Sequence, residues 1–83
     1  MVSVIIYTTA WCPYCVRAKR LLDAKDVKYT EIDVSKPAVR AEMVALTGGT
    51  TVPQILIDNQ AFGGCDEIHA LERSGKLNKL LKK

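Results

Sequence analysis

Two thiols stand two residues apart in Cys12-Pro13-Tyr14-Cys15, shortly after the apolar run Val4-Ile5-Ile6-Tyr7. Such a pair supports thiol–disulfide exchange, in which one thiolate attacks a disulfide and the second resolves the mixed disulfide that results. The surrounding pattern reads as a strand feeding the start of a helix. There the first N–H groups lack intrahelical partners and the helix dipole is positive, so a sulfur at that point is favoured as thiolate. Pro13 suits the first turn, because its φ is already fixed and its missing N–H is not needed. Cys12 is therefore the expected exposed nucleophile. Cys15, one turn further along the apolar stripe, is the expected shielded, resolving thiol. The competing use of Cys-x-x-Cys is half of a zinc site, but zinc normally takes four ligands. Cys65 and His69 offer neither a second such pair nor paired histidines, so no metal site is expected.

Two other segments carry candidate binding chemistry. Thr51-Val52-Pro53 precedes a strand that should run antiparallel to the first. An ordinary trans proline entering that strand is the plain expectation. A cis turn, favoured by the preceding Gly48-Gly49-Thr50-Thr51, would aim the Val52 backbone at the dithiol, where it could pair with a peptide like an added strand. Gly63-Gly64-Cys65-Asp66 opens a helix. Glycines there let a ligand approach the backbone, and the N–H groups that follow can hold a carboxylate; the plainer reading is a hairpin exit with Asp66 as N-cap. Cys65 reads as a small buried side chain in preference to a third thiol at the site. His69 reads as a surface residue, and Trp11 as a partly exposed rim aromatic that shields the nucleophile or meets a partner protein.

These segments need a scaffold that brings them together. Val4 to Thr8 reads as a buried strand and Pro13 to about Lys25 as a helix with Cys15, Ala18, Leu21 and Leu22 on one face. Val27 to Val34 reads as a second strand, which a helical crossover forces to be parallel to the first. A second helix starts at Ser35 or Lys36-Pro37, shows an apolar stripe at Val39, Met43 and Leu46, and stops at Gly48-Gly49. Gln54 to Asp58 and Ala61 to Phe62 read as a hairpin around Asp58-Asn59-Gln60. A third helix runs to about Arg73, and Leu77, Leu80 and Leu81 mark a short final one. The order βαβαββα(α) predicts a thioredoxin-like α/β fold: a four-stranded mixed sheet flanked by helices, as a single domain over residues 1–83.

Composition agrees with a small soluble globular chain: 83 residues, 48% hydrophobic and 25% charged. No apolar run approaches a membrane span of roughly 18–20 residues, and Met1-Val2-Ser3 lacks the basic start of a signal peptide. Three cysteines are too few, and odd in number, for a secreted disulfide framework, so a cytoplasmic location is expected. The net charge of +3 is mild. Lys76, Lys79, Lys82 and Lys83 have no aromatics among them, which argues for a solvated helix end and against a nucleic-acid surface.

Taken together, Ile6-Tyr7-Thr8, Cys12-Pro13-Tyr14-Cys15, Thr51-Val52-Pro53-Gln54 and Gly63-Gly64-Cys65-Asp66 resemble a dithiol glutaredoxin of the short bacterial type, over essentially the whole chain. The resemblance implies glutathione as co-substrate, with no bound cofactor. It implies that Val52, next to a cis Pro53, pairs with the cysteine of glutathione. Gly64, Cys65 and Asp66 would receive the γ-glutamyl end, and Tyr14 and Thr51 would line the groove. The family often carries lysine three residues before the nucleophile; Thr9 stands there, leaving Arg40 as the cation for the glycyl carboxylate. Gly49 likewise replaces a basic residue common in relatives. Weaker glutathione binding with unchanged chemistry is expected. The implied partners are glutathionylated or disulfide-containing proteins, ribonucleotide reductase among them, met by a monomer. Two other readings stay open: reduction by thioredoxin reductase instead of glutathione, and an iron–sulfur carrier that holds a cluster between protomers through Cys12 and glutathione.

Overall fold

The computed structural model describes residues 2–82; Met1 and Lys83, used above in the readings of the termini, lie outside the described residues. Along the chain run β1 (Val4–Thr8), α1 (Pro13–Ala24), β2 (Thr30–Asp33), α2 (Pro37–Thr47), β3 (Gln54–Ile57), β4 (Gln60–Ala61), α3 (Cys65–Arg73) and α4 (Lys76–Leu81). The sheet order is β2-β1-β3-β4, with β1 parallel to β2 and antiparallel to β3, and β3 antiparallel to β4. This is the mixed four-stranded sheet of the thioredoxin-like fold.

Alternation along the two central strands assigns the helices to their faces. Val4, Ile6, Ile55 and Ile57 point to one side, where they pack with Ala18 and Leu22 of α1, Ile68 of α3, and Leu77 and Leu81 of α4. Tyr7 and Leu56 point to the other side and meet Met43 of α2 and Val34. Between β3 and β4, Asp58 and Asn59 adopt φ of 49° and 67°, the left-handed pair that a tight two-residue hairpin requires. Gly48, at φ 75°, ends α2 in the same region.

Three details depart from the sequence reading. The second strand is confined to Thr30–Asp33, although Val27 and Tyr29 still pack against the larger cluster as its alternation predicts. Leu46 is 61% exposed: α2 covers only a small patch of sheet, and Met43, with Val39 beside it, fills that patch. Helix α3 begins at Cys65 with Gly64 as N-cap, not at Asp66. The reason is Glu67, whose Oε1 accepts the Gly64 N–H at 2.7 Å and so fixes the helix start one residue earlier.

Two polar straps tie the helices down. Glu31 Oε2 accepts from Thr8 Oγ1 at 2.7 Å and from Lys19 Nζ at 3.0 Å, joining β2, β1 and α1. Lys25 Nζ reaches Glu72 Oε1 at 2.6 Å and Asn78 Oδ1 at 2.8 Å, joining α1 to α3 and α4. The Thr8 hydrogen bond, then the Lys19 bond, hold the Glu31 carboxyl below its ordinary value of 4.5. The folded state thus binds that proton less readily than the unfolded chain. The resulting stability is present above the ordinary glutamate range and is lost as pH falls through the lowered value. Glu31→Gln should therefore lose less stability than the parent between neutral pH and about pH 3, read from urea midpoints at each pH. Leu22→Ala, which empties a fully buried site at the α1–sheet contact, should cost about 2–5 kcal/mol in the same assay.

Candidate active site

The antiparallel pairing of β1 with β3 places Tyr7 opposite Gln54. The chain leaving β1 toward Cys12 therefore lies beside the chain entering β3 from Val52. Cys12 is the N-cap of α1, in extended conformation at φ −119° and ψ 104°. The Cys15 N–H donates to the Cys12 sulfur at 3.1 Å. The same sulfur stands 3.8 Å from the Val52 carbonyl oxygen, to which the thiol form donates. The Val52–Pro53 peptide is cis.

Beside this junction lies a cavity of about 320 Å³, within the range of small-ligand sites. Tyr14, Thr51, Val52, Pro53, Gly64, Cys65 and Asp66 line it, which unites seven of the eight glutathione positions implied by the resemblance. Glu67 also lines it and was missed by the sequence reading. The signal available was its place three residues after the helix cap, where a glutamate commonly folds back. Gly64 makes the assembly possible: a Cβ there would lie 2.8 Å from the Pro53 carbonyl oxygen, so only glycine lets the start of α3 touch the proline loop.

Arg40 does not line the cavity. Its Nη2 donates to the Thr50 carbonyl at 2.8 Å, which braces the loop next to Thr51. Gln54, buried at the start of β3, donates through Nε2 to the Thr51 carbonyl at 3.0 Å and steadies the same loop from inside. Gly49 leaves room for this, since a Cβ at that position would overlap the Gln54 amide. The glycine that replaces a basic residue thus has a packing reason.

The thiols differ in environment. Cys12 is partly exposed, whereas Cys15 is 2% exposed. Burial, then a hydrogen bond with Cys12, push the Cys15 thiol up to about 12. Cys65 is buried as expected, and its thiol is raised by burial and by the neighbouring Asp66 carboxylate. Its sulfur lies 3.5 Å from His69 Nδ1, which also sits 2.8 Å from the Cys65 carbonyl oxygen. Trp11 is 95% exposed and cannot shield the Cys12 sulfur, which leaves contact with a partner as the role open to it. Tyr14 projects beside it, with the Arg17 guanidinium 5.8 Å from its ring centroid.

Sheet order and the placing of the paired thiols at a helix start put the chain in the class of thioredoxin-fold redox proteins. Within that class, the glutaredoxin family model matches residues 4–62. The chain is 58% identical over 82 residues to a glutaredoxin of Pseudomonas aeruginosa, covering 98% of each. It is 51% identical over 83 residues to glutaredoxin 3 of Escherichia coli K12, covering 99% of this chain and 100% of that one. Among solved structures, a glutaredoxin of Brucella melitensis superposes with a TM-score of 0.87 at 54% identity, covering 99% of this chain and 90% of the other. A buckwheat glutaredoxin–glutathione complex superposes with a TM-score of 0.88 at 31% identity, covering 95% and 76%. The chain belongs to the glutaredoxin family, and is a thiol–disulfide oxidoreductase.

Two outcomes follow from the geometry. Brief treatment with iodoacetamide near neutral pH should label Cys12 and leave Cys15 and Cys65 as buried, protonated thiols; peptide mass mapping reads the order, which should persist until the fold opens. Gly64→Ala should cost about 1–3 kcal/mol by forcing α3 away from the proline loop, and should weaken glutathione binding in parallel.

Proposed function

We propose that Cys12 carries out the nucleophilic step on protein–glutathione mixed disulfides, and that Cys15 serves only when the substrate is a protein disulfide. In the first route the Cys12 thiolate attacks the glutathionyl sulfur, a Cys12–glutathione disulfide forms, and the protein leaves as thiol. A second glutathione attacks the glutathione sulfur of that adduct, which releases oxidised glutathione and returns Cys12 as thiolate. In the second route Cys12 forms a mixed disulfide with the protein and Cys15 displaces the protein thiol. The Cys12–Cys15 disulfide is then reduced by two glutathiones.

The observation that carries this reading is the meeting of the Cys12 sulfur with the Val52 backbone at the edge of the cavity. Glutathione is a short peptide. Its cysteine, paired with the Val52 backbone as a strand would be, has its sulfur delivered to Cys12. The first N–H groups of α3, at Cys65 and Asp66, suit its γ-glutamyl carboxylate, and the Asp66 side chain suits the adjoining ammonium. Tyr14, Thr51, Pro53 and Gly64 supply the walls. With Arg40 bound to Thr50 and Thr9 in place of a lysine, the glycyl carboxylate meets Arg40 at the cavity margin only, which supports modest affinity.

On this reading the protein works as a cytoplasmic monomer on glutathionylated proteins and on protein disulfides such as that of ribonucleotide reductase. Cys12→Ser should abolish both routes, and Cys15→Ser should retain deglutathionylation while losing protein-disulfide reduction. Rates with a glutathionylated peptide and with a disulfide-bonded protein test this, and equal loss from both substitutions would refute it. The same assay run with NADPH and either glutathione plus its reductase or thioredoxin reductase identifies the reductant. Asp66→Asn should raise the KM for the glutathionylated substrate several-fold with kcat little changed.

A further inference from the structure

Lys19 lies four residues after Cys15 on α1, so the two side chains share a face of the helix. Its ammonium is held in place: Nζ is 3.0 Å from Glu31 Oε2, the oxygen that also accepts from Thr8 Oγ1 at 2.7 Å. Thr8 is 2% exposed and ends β1. The next residue, Thr9, gives the Cys15 thiol a backbone hydrogen bond. Lys19, Glu31 and Thr8 are thus linked side chain to side chain, next to the helix face that carries the buried Cys15 sulfur. Nothing in either exchange route so far gives Lys19 or Glu31 a part.

We propose that Lys19 is a positioning residue for the dithiol route, its fixed ammonium stabilising the Cys15 sulfur whenever that sulfur bears negative charge, with Glu31 holding and moderating that ammonium. The proposal rests on Cys15 being the resolving thiol. Burial and the Cys12 sulfur both oppose charge on Cys15; Lys19 and the Thr9 backbone favour it. In resolution, Cys15 loses its proton, attacks the Cys12 sulfur of the mixed disulfide, and the protein sulfur leaves and takes up a proton. In reduction, an external thiolate attacks the Cys12 sulfur of the Cys12–Cys15 disulfide, and Cys15 departs as thiolate before it is reprotonated. Both directions pass through negative charge on the same sulfur. Lys19 therefore speeds both, and the Cys12–glutathione exchange, in which Cys15 takes no part, is left alone.

The magnitude is modest. Losing the charge makes Cys15 a poorer leaving group in the opening of the Cys12–Cys15 disulfide, which gives about a threefold change in rate. The experiment uses dithiothreitol as the attacking thiol and the fluorescence of Trp11, the sole tryptophan, as the reporter. Lys19→Met should slow opening of the Cys12–Cys15 disulfide about threefold, and Lys19→Arg should restore it. Glu31→Gln, which keeps the Thr8 hydrogen bond but removes the counter-charge, should speed opening. In a Cys15→Ser background, release of glutathione from Cys12 should be unaffected by either substitution. An unchanged rate in Lys19→Met overturns the proposal. So does slowing by both Lys19→Met and Glu31→Gln, the mark of a strap that merely holds α1 to β2. Because dithiothreitol is the reductant, these outcomes stand whether or not glutathione proves to be the physiological donor.

Discussion

The antiparallel register between β1 and β3 is the constraint from which the site follows. Tyr7 opposite Gln54 means that the chain leaving one central strand and the chain entering the other meet at the same end of the sheet. One carries Cys12 and the other Val52. A slip of one residue in β3 would turn Ile55 and Ile57 away from the larger core cluster and would move Val52 off the sulfur in the same stroke. Core burial, the dominant source of stability, thereby fixes the geometry of a site that contributes little stability itself. The parallel partner β2 adds its share by accepting the Thr8 hydroxyl through Glu31, which pins the end of β1 where the active-site segment begins.

A second contact completes the cavity. Helix α3 is joined to β4 by Phe62-Gly63-Gly64, and its start must reach the proline loop to close the far wall. Gly64 permits the approach to the Pro53 carbonyl, and Glu67 caps the helix by reaching back to Gly64. Gly64 to Glu67 at the head of α3 line the same cavity as Tyr14 of α1. Two helix N-termini thus converge on one small volume, each with its positive dipole end inward. A ligand bearing a thiol and a carboxylate has a matching set of partners there, and the Asp66 carboxylate on the lining suits an ammonium on the same ligand.

Much of this was legible in the sequence for physical reasons. The continuous apolar runs Val4-Ile5-Ile6-Tyr7 and Ile55-Leu56-Ile57 mark strands buried on both faces, and Asp58-Asn59 marks a hairpin because these residues tolerate positive φ. The paired cysteines with Pro13 locate a helix start within a residue. What stayed hidden depends on contacts between segments distant in the chain. Whether Arg40 enters the cavity is decided by the Thr50 carbonyl, which no local pattern reports. Leu46 sits at correct helical spacing, yet the sheet beneath α2 is too narrow to cover it. The start of α3 at Gly64 is set by Glu67, whose place three residues after the cap lets its carboxylate reach back to the Gly64 N–H, as Asp66 one residue earlier does not.

The two thiols of one motif owe their difference to a single helical turn. Cys12 stands outside the helix, accepts an amide bond from Cys15 and remains open to a partner. Cys15 stands inside it, packed beneath α1 where burial keeps its proton on. The order of events in exchange is set by this asymmetry. On the proposed routes an incoming disulfide meets Cys12 first, and Cys15 becomes competent when the mixed disulfide has placed an electrophilic sulfur beside it and charge can pass to a leaving thiolate. A deeply buried resolving thiol would be slow without some local compensation. A cation held four residues further along the same helix, and itself held by a carboxylate on the neighbouring strand, supplies that compensation without exposing the sulfur to solvent or to wrong partners.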